Sequence, residues 1–233
     1  MPTGLMQRIA SLGVASAVAL LAACSTAPVA SAPTLVDAGD LVPGLRLDIR
    51  YAGDDNFVGE PVRGYEAPKC LLLPPAAEAL AAIARDLQRE GYALQVFDCY
   101  RPQRAVRHFV EWAGAPDDAT RKQRHYPDVD KSALLGTYIA ETSGHSRGLT
   151  VDLTLARCDA AACTPIDMGT PFDFFDERAH TDSPRIAPAQ RANRERLRAA
   201  MARHGFRNYA YEWWHYTLDR GPSQPPLLDV PVR

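Results

Sequence analysis

Ser143-Gly144-His145-Ser146-Arg147-Gly148-Leu149-Thr150-Val151-Asp152-Leu153-Thr154-Leu155 is the stretch on which the reading of this chain turns. From Leu149 to Leu155 apolar and polar side chains alternate with the period of two of a strand. Asp152 sits in that alternation beside Val151, Leu153 and Thr154, and a carboxylate there needs a partner because an unpaired buried charge is expensive. His145 precedes Asp152 by seven residues, so an unbroken strand would turn the two to opposite faces. A turn at Gly148, between them, restores the parity.

Outward from this strand the elements follow no regular βαβ rhythm. Leu45–Tyr51 alternates at period two and predicts a short strand. Pro74-Pro75 opens a helix in which Leu80, Ile83, Ala84 and Leu87 recur at helical spacing, with Gly91 at its stop. Tyr92–Asp98 predicts a strand, and Pro102 restarts a helix through Trp112 with Ala105, Phe109 and Trp112 on one face. Residues 113–142 read as loop with a short helix. Residues 157–187 carry Pro, Asp and Gly with no strong period, and an excursion of that length is functional or holds further structure. Ala189–His204 reads as a basic amphipathic helix stopped by Gly205, its arginines a solvated face, and Asn208–Leu218 (NYAYEWWHYTL) as a strand. Few strands interspersed with helices point to an α+β fold: a small central antiparallel sheet flanked by helices, in a single catalytic domain.

The net charge of −2 over 233 residues gives no electrostatic reason to expect a nucleic-acid partner, and nothing in the sequence points to a protein partner. Residues 1–23 carry one basic residue, Arg8, then an uncharged Ala/Val/Leu-rich run shorter than the roughly 20 residues a membrane span needs. They read as a secretory signal ending in Leu21-Ala22-Ala23-Cys24, a pattern similar to a bacterial lipobox in which Cys24 is lipidated; a plain signal peptide is the alternative. Residues 24–38 read as a flexible tether and residues 39–233 as the catalytic domain. A lipid on Cys24 attaches the chain to a membrane on the periplasmic side of the cell envelope, and the non-acidic Ser25, by resemblance to lipoprotein sorting rules, points to the outer membrane. The other cysteines, Cys70, Cys99, Cys158 and Cys163, allow three pairings in an oxidising compartment; the favoured one is Cys158–Cys163, which closes a short loop, with Cys70–Cys99.

Three stretches carry the chemistry: the one quoted first, Glu212-Trp213-Trp214-His215, and Asp98-Cys99-Tyr100-Arg101-Pro102. A catalytic zinc takes three ligands from His and carboxylate and leaves a position open. His145, Asp152 and His215 supply such a set and leave Glu212 free as a base. Glu212 and His215 are three apart, which shares a face on a helix but not on a regular strand, so a bulge or turn is required between them. Each residue also has an ordinary reading as a core or surface side chain, and it is the combination that makes a site. Trp213 and Trp214 are core or cavity wall.

SGHSRGLTVDLTL, EWWHYTL and DCYRPQRAV, with YAGDDNFVG at residues 51–59 and MGTPFDFFDER at 168–178, resemble the zinc D-alanyl-D-alanine dipeptidases of the vancomycin-resistance type over roughly residues 40–233. The resemblance implies one zinc per chain held by His145, Asp152 and His215, with Glu212 as general base and acid and Arg101 polarising the scissile carbonyl. It implies Tyr51, Ser143 and Asp173 as substrate-facing residues, Asp173 receiving the ammonium. The activity it implies is hydrolysis of the dipeptide D-alanyl-D-alanine in peptidoglycan metabolism. A D,D-carboxypeptidase acting on longer stem peptides and a non-catalytic peptidoglycan-binding lipoprotein are the alternatives.

Overall fold

The structure is a computed structural model and describes Met1 and residues 33–159 and 162–233. The proposed leader, Cys24 and most of the tether lie outside the described residues. Pro33–Arg233 form one compact unit. Near the start of this unit β1 (Val36–Asp37) pairs antiparallel with β3 (Leu71–Leu72), and Ala38, at the head of the short α1 (Ala38–Leu41), is fully buried.

The main sheet runs in the order β2 (Arg46–Leu47), β4 (Tyr92–Asp98), β5 (Thr150–Cys158), β8 (His215–Leu218), β7 (Phe206–Asn208). β8 pairs with the first residues of β5 and β6 (Cys163–Pro165) with its last, on the same edge. All pairings are antiparallel except the β2–β4 edge, which is parallel. The alternation of Leu45–Tyr51 yields only the two residues of β2, because at Arg50 the chain turns into a 3-10 helix, Arg50–Ala52, that buries Tyr51 completely. Helix α2 (Pro74–Arg89) buries Ala76, Ala77, Leu80, Ile83 and Leu87, and Gly91 leaves it with φ +78°, a conformation that costs a residue without Cβ little. α3 (Gln103–Gly114) buries Ala105, Val106 and Phe109, and α4 (Ala119–His125) is the short helix expected between 113 and 142, capped by the Asp118 carboxylate on the Thr120 and Arg121 N–H groups.

The excursion over 157–187 holds β6 and a 3-10 turn, Glu177–Ala179. It is stitched down by α5 (Pro188–Arg203) through Arg194. This guanidinium is not part of a solvated face, as its helix had suggested, but fully buried, donating to the carbonyls of Met168, Arg178 and His180 at 2.7–2.9 Å. Five donors on one planar group satisfy three carbonyls that a loop could not pair internally. Both expected disulfides are formed: Cys158–Cys163 closes the β5–β6 hairpin, and Cys70–Cys99 ties the residue before β3 to the residue after β4.

Candidate metal centre and cavity

Strand register lays out the site. Asp98 of β4 stands opposite Asp152 of β5, and Asp152 opposite His215 of β8. Directly opposed residues of antiparallel strands share a face, so the three side chains form one row across the sheet. His145 joins the row from the other side of Gly148. Residues Gly144–Arg147 form a 3-10 turn capped by the Ser143 hydroxyl, which accepts from the His145 N–H at 3.2 Å, and Gly148 adopts φ +71° before β5 begins. The turn thus resolves the parity of the seven-residue spacing. Between β7 and β8 residues 209–214 form a tight loop: Tyr209 N–H donates to the His215 carbonyl, Glu212 N–H to that of Tyr209, and Asn208 Nδ2 to those of Glu212 and His215. Glu212 and His215 meet because they sit on a hairpin tip rather than in a continuous strand.

The three ligand atoms of His145, Asp152 and His215 lie within 4.8 Å of one another. His145 Nε2 is 3.2 Å from Asp152 Oδ2 and 3.3 Å from His215 Nδ1, which is 3.1 Å from Asp152 Oδ1. His145 Nδ1 is 2.6 Å from the Cys99 carbonyl, which can only accept, so that nitrogen carries the proton and Nε2 presents its lone pair to the cluster. Asp152 Oδ1 is buried and, apart from this approach of His215 Nδ1, has no hydrogen-bond partner among the described residues. A lone pair, a carboxylate and a second imidazole converging in a buried place are what a cation with nitrogen and oxygen ligands requires, so these residues fit a metal ion.

Around the triad stand the supporting groups. Arg101 donates through Nε to Asp98 Oδ2 at 2.9 Å, and its Nη2 lies 2.8 Å from the same oxygen and donates to Asp152 Oδ2 at 3.5 Å. Its guanidinium packs over the rings of Tyr51 and Phe109 at 5.2 and 5.0 Å. Asp98 also accepts from Tyr65 OH at 2.6 Å. Glu212 Oε2 lies 3.4 Å from His215 Nδ1 and is outside the triad. Burial, opposed by His215 and Arg101 and reinforced by Asp152, pushes the Glu212 carboxyl up to about 7.

A cavity of ≈ 250 Å³ opens on this cluster, lined by Tyr51, Arg101, Ser143, Asp152, Asp173, Glu212 and His215 among others. Trp214 is part of its wall, whereas Trp213 is buried with its Nε1 donating to Thr170 Oγ1. Asp173 is 5% exposed and accepts from Tyr51 OH at 3.0 and 3.2 Å. Among the described residues no cationic side chain pairs with it, and burial together with Asp152 holds its carboxyl well above the usual range against Arg101 and Tyr51.

Seven of the eight candidate residues of the domain therefore line one cavity, and the eighth, His145, is buried against Asp152 and His215. Sequence reading missed the part of Asp98, which was quoted only as one end of a motif. The signal was present: Asp98 closes an otherwise buried strand, the argument that singled out Asp152. His125 received no role either, and its ring nitrogen meets the Asp173 carbonyl at 3.0 Å.

In comparison with known proteins, a family profile described as D-ala-D-ala dipeptidase matches residues 31–233. The D-alanyl-D-alanine dipeptidase of Enterococcus faecium is 40% identical over 195 residues, covering 83% of this chain and 96% of that protein. That of Streptomyces coelicolor is 41% identical over 194 residues, 83% of this chain and 95% of its own, and that of Escherichia coli 35% over 195 residues, 84% and 90%.

Proposed function

Because this chain belongs to the D-Ala-D-Ala dipeptidase family, we propose that it hydrolyses D-alanyl-D-alanine to two D-alanines with one zinc ion held by His145, Asp152 and His215. The observation that carries this reading is a single cavity that opens on the ligand triad, with Glu212 beside it and a buried carboxylate, Asp173, that no cationic side chain among the described residues pairs with. When bound, zinc supplies Lewis acidity towards an amide carbonyl and brings a water's pKa towards neutrality.

The chain's own residues divide the remaining work. Glu212, held by backbone bonds on the hairpin tip, accepts a proton as the amide carbon is attacked and returns it to the leaving amine. Arg101, fixed by Asp98 and stacked on two rings, keeps its charge next to the carbonyl oxygen and offsets the oxyanion. Asp173 with Tyr51 receives the free ammonium, which gives the buried carboxylate the partner it lacks. Ser143, on the cavity wall, faces the substrate while its hydroxyl caps the His145 turn. The cavity's volume, ≈ 250 Å³, suits a dipeptide better than a peptidoglycan stem.

The test is hydrolysis of D-Ala-D-Ala and of a pentapeptide stem, each with and without a chelator, on protein of measured metal content. Chelator-sensitive cleavage of the dipeptide alone, at about one zinc per chain, is expected. Preferential release of D-alanine from the pentapeptide would establish the carboxypeptidase reading instead, and full activity in metal-free protein would end the zinc assignment.

We also propose that Cys24 is lipidated and anchors the enzyme at the periplasmic face of the envelope, on the support of the leader pattern alone. Among the described residues no helix is long and apolar enough to cross a membrane. Cys24→Ser should move the protein from membrane to soluble fractions; unchanged fractionation would refute the anchor.

A further inference from the structure

Asp173 has φ +56°, the one residue other than glycine in the left-handed region among the described residues. Aspartate tolerates that conformation better than most, but it persists only where the surroundings hold it. The grip comes from α4. His125, its last residue, places Nδ1 3.0 Å from the Asp173 carbonyl; since a carbonyl can only accept, this nitrogen carries the hydrogen. The main-chain carbonyl of His125 accepts from the Phe175 N–H at 2.7 Å. One residue therefore holds the loop on either side of Phe174, side chain to 173 and backbone to 175. The ring is buried edge-on against Phe57, and its Nε2 has no hydrogen-bond partner. A buried polar atom left unpaired is a cost that an apolar side chain at this position would avoid, and the donor at Nδ1 is what the histidine adds.

The helix bearing His125 is itself tied to the segment after Tyr51, the other residue that contacts Asp173: Arg121 Nη1 donates to the Asn56 carbonyl at 3.1 Å. Both supports of Asp173, Tyr51 at its carboxylate and His125 at its main-chain carbonyl, thus belong to one connected substructure, outside the sheet that carries Asp152 and His215.

We propose that His125 is a positioning residue for the amino end of the substrate: its Nδ1–H holds residue 173 in the conformation that aims the carboxylate into the cavity. This rests on the reading of Asp173 as the ammonium acceptor.

The experiment is steady-state kinetics on the zinc-loaded enzyme with D-Ala-D-Ala, with melting temperature and zinc content measured for every variant. Asparagine carries its amide N–H near the position of Nδ1, glutamine near that of Nε2, so the two are a matched polar pair. His125→Gln and His125→Phe should raise KM about tenfold, the effect of one lost hydrogen bond, with kcat and zinc content little changed. His125→Asn should restore KM to within about threefold of the parent. Asp173→Asn should raise KM more, and adding His125→Gln to it should raise KM no further, because one acts through the other. If Asp173→Asn leaves KM unchanged, the ammonium reading fails first. If Asp173→Asn raises KM but the glutamine and asparagine variants are alike, or the two effects add, or His125→Phe lowers the melting temperature without moving KM, His125 is a structural residue only and the proposal is overturned.

Discussion

Asp98 takes up three contacts with two oxygens: the Tyr65 hydroxyl on one, Arg101 on the other, and His145 Nδ1 at 3.3 Å. It is fully buried, so its charge must be matched locally, and Arg101 matches it. In the proposed mechanism Arg101 is shared between this structural anion and the reacting carbonyl. Arg101→Lys keeps the charge against Asp98 but loses the paired Nε and Nη2 geometry. It is expected to lower kcat by about a hundredfold, towards the lower end of the effect of losing an oxyanion donor, with the far-ultraviolet circular dichroism unchanged. Glu212→Gln, which preserves shape, should keep the zinc stoichiometry and abolish turnover; single-turnover hydrolysis at the parent rate would exclude Glu212 as the base. At this scale the ligand triad was legible from residue type and spacing together with the resemblance. The support from Asp98 and His125 was not, because both act through contacts with residues far off in sequence.

Two turns decide the site at the level of elements. Gly148 adopts φ +71°, and a Cβ there would stand 2.8 Å from Leu35 Cδ2 and 3.3 Å from the Leu73 backbone nitrogen. Gly148→Ala must pay for both the left-handed backbone and the crowding, so a loss of about 1–3 kcal/mol in urea unfolding is expected. The same change should weaken zinc retention in a chelator competition, since the turn carries His145. The hairpin tip at 209–214 is the second turn. Its segment had looked like one strand because Tyr, Trp and Thr favour sheets wherever they stand, whereas the bonds that fold it back involve the side chain of Asn208 and backbone groups. Helices α2, α3 and α5 and strands β4 and β5 were legible because each has a long apolar period or a proline or glycine at its end. β1, β3, β6 and the 3-10 turns were not, being two to four residues long, too short for any period to register, and of the strand expected over 45–51 only the two residues of β2 form.

For the whole molecule, acidity and oxidation set the bounds of stability. Burial lowers the His125 pKa from 6.5 to about 4. The native state thus prefers the neutral ring, so its stabilisation is complete above pH 6.5 and is lost as pH falls from 6.5 to about 4, by up to about 3 kcal/mol. Urea unfolding at pH 7 and pH 4.5 should show this loss, and it should shrink in His125→Asn; an unchanged slope with pH in that variant would assign the acid sensitivity to other groups. The Cys70–Cys99 bond spans 29 residues, and replacing both by alanine should cost about 2–5 kcal/mol in the same measurement. The Cys99 carbonyl is also the group that leaves His145 Nε2 as the nitrogen offered to the proposed metal. Enzyme produced in a reducing cytosol would carry that carbonyl on a segment held by backbone hydrogen bonds alone, those of Tyr100 to Leu71 and of Arg101 to His145. Two batches identical in sequence and differing only by the hydrogens on a pair of sulfurs would then diverge in how firmly they keep their metal through purification, and a thiol titration would sort active from idle material before any substrate is added.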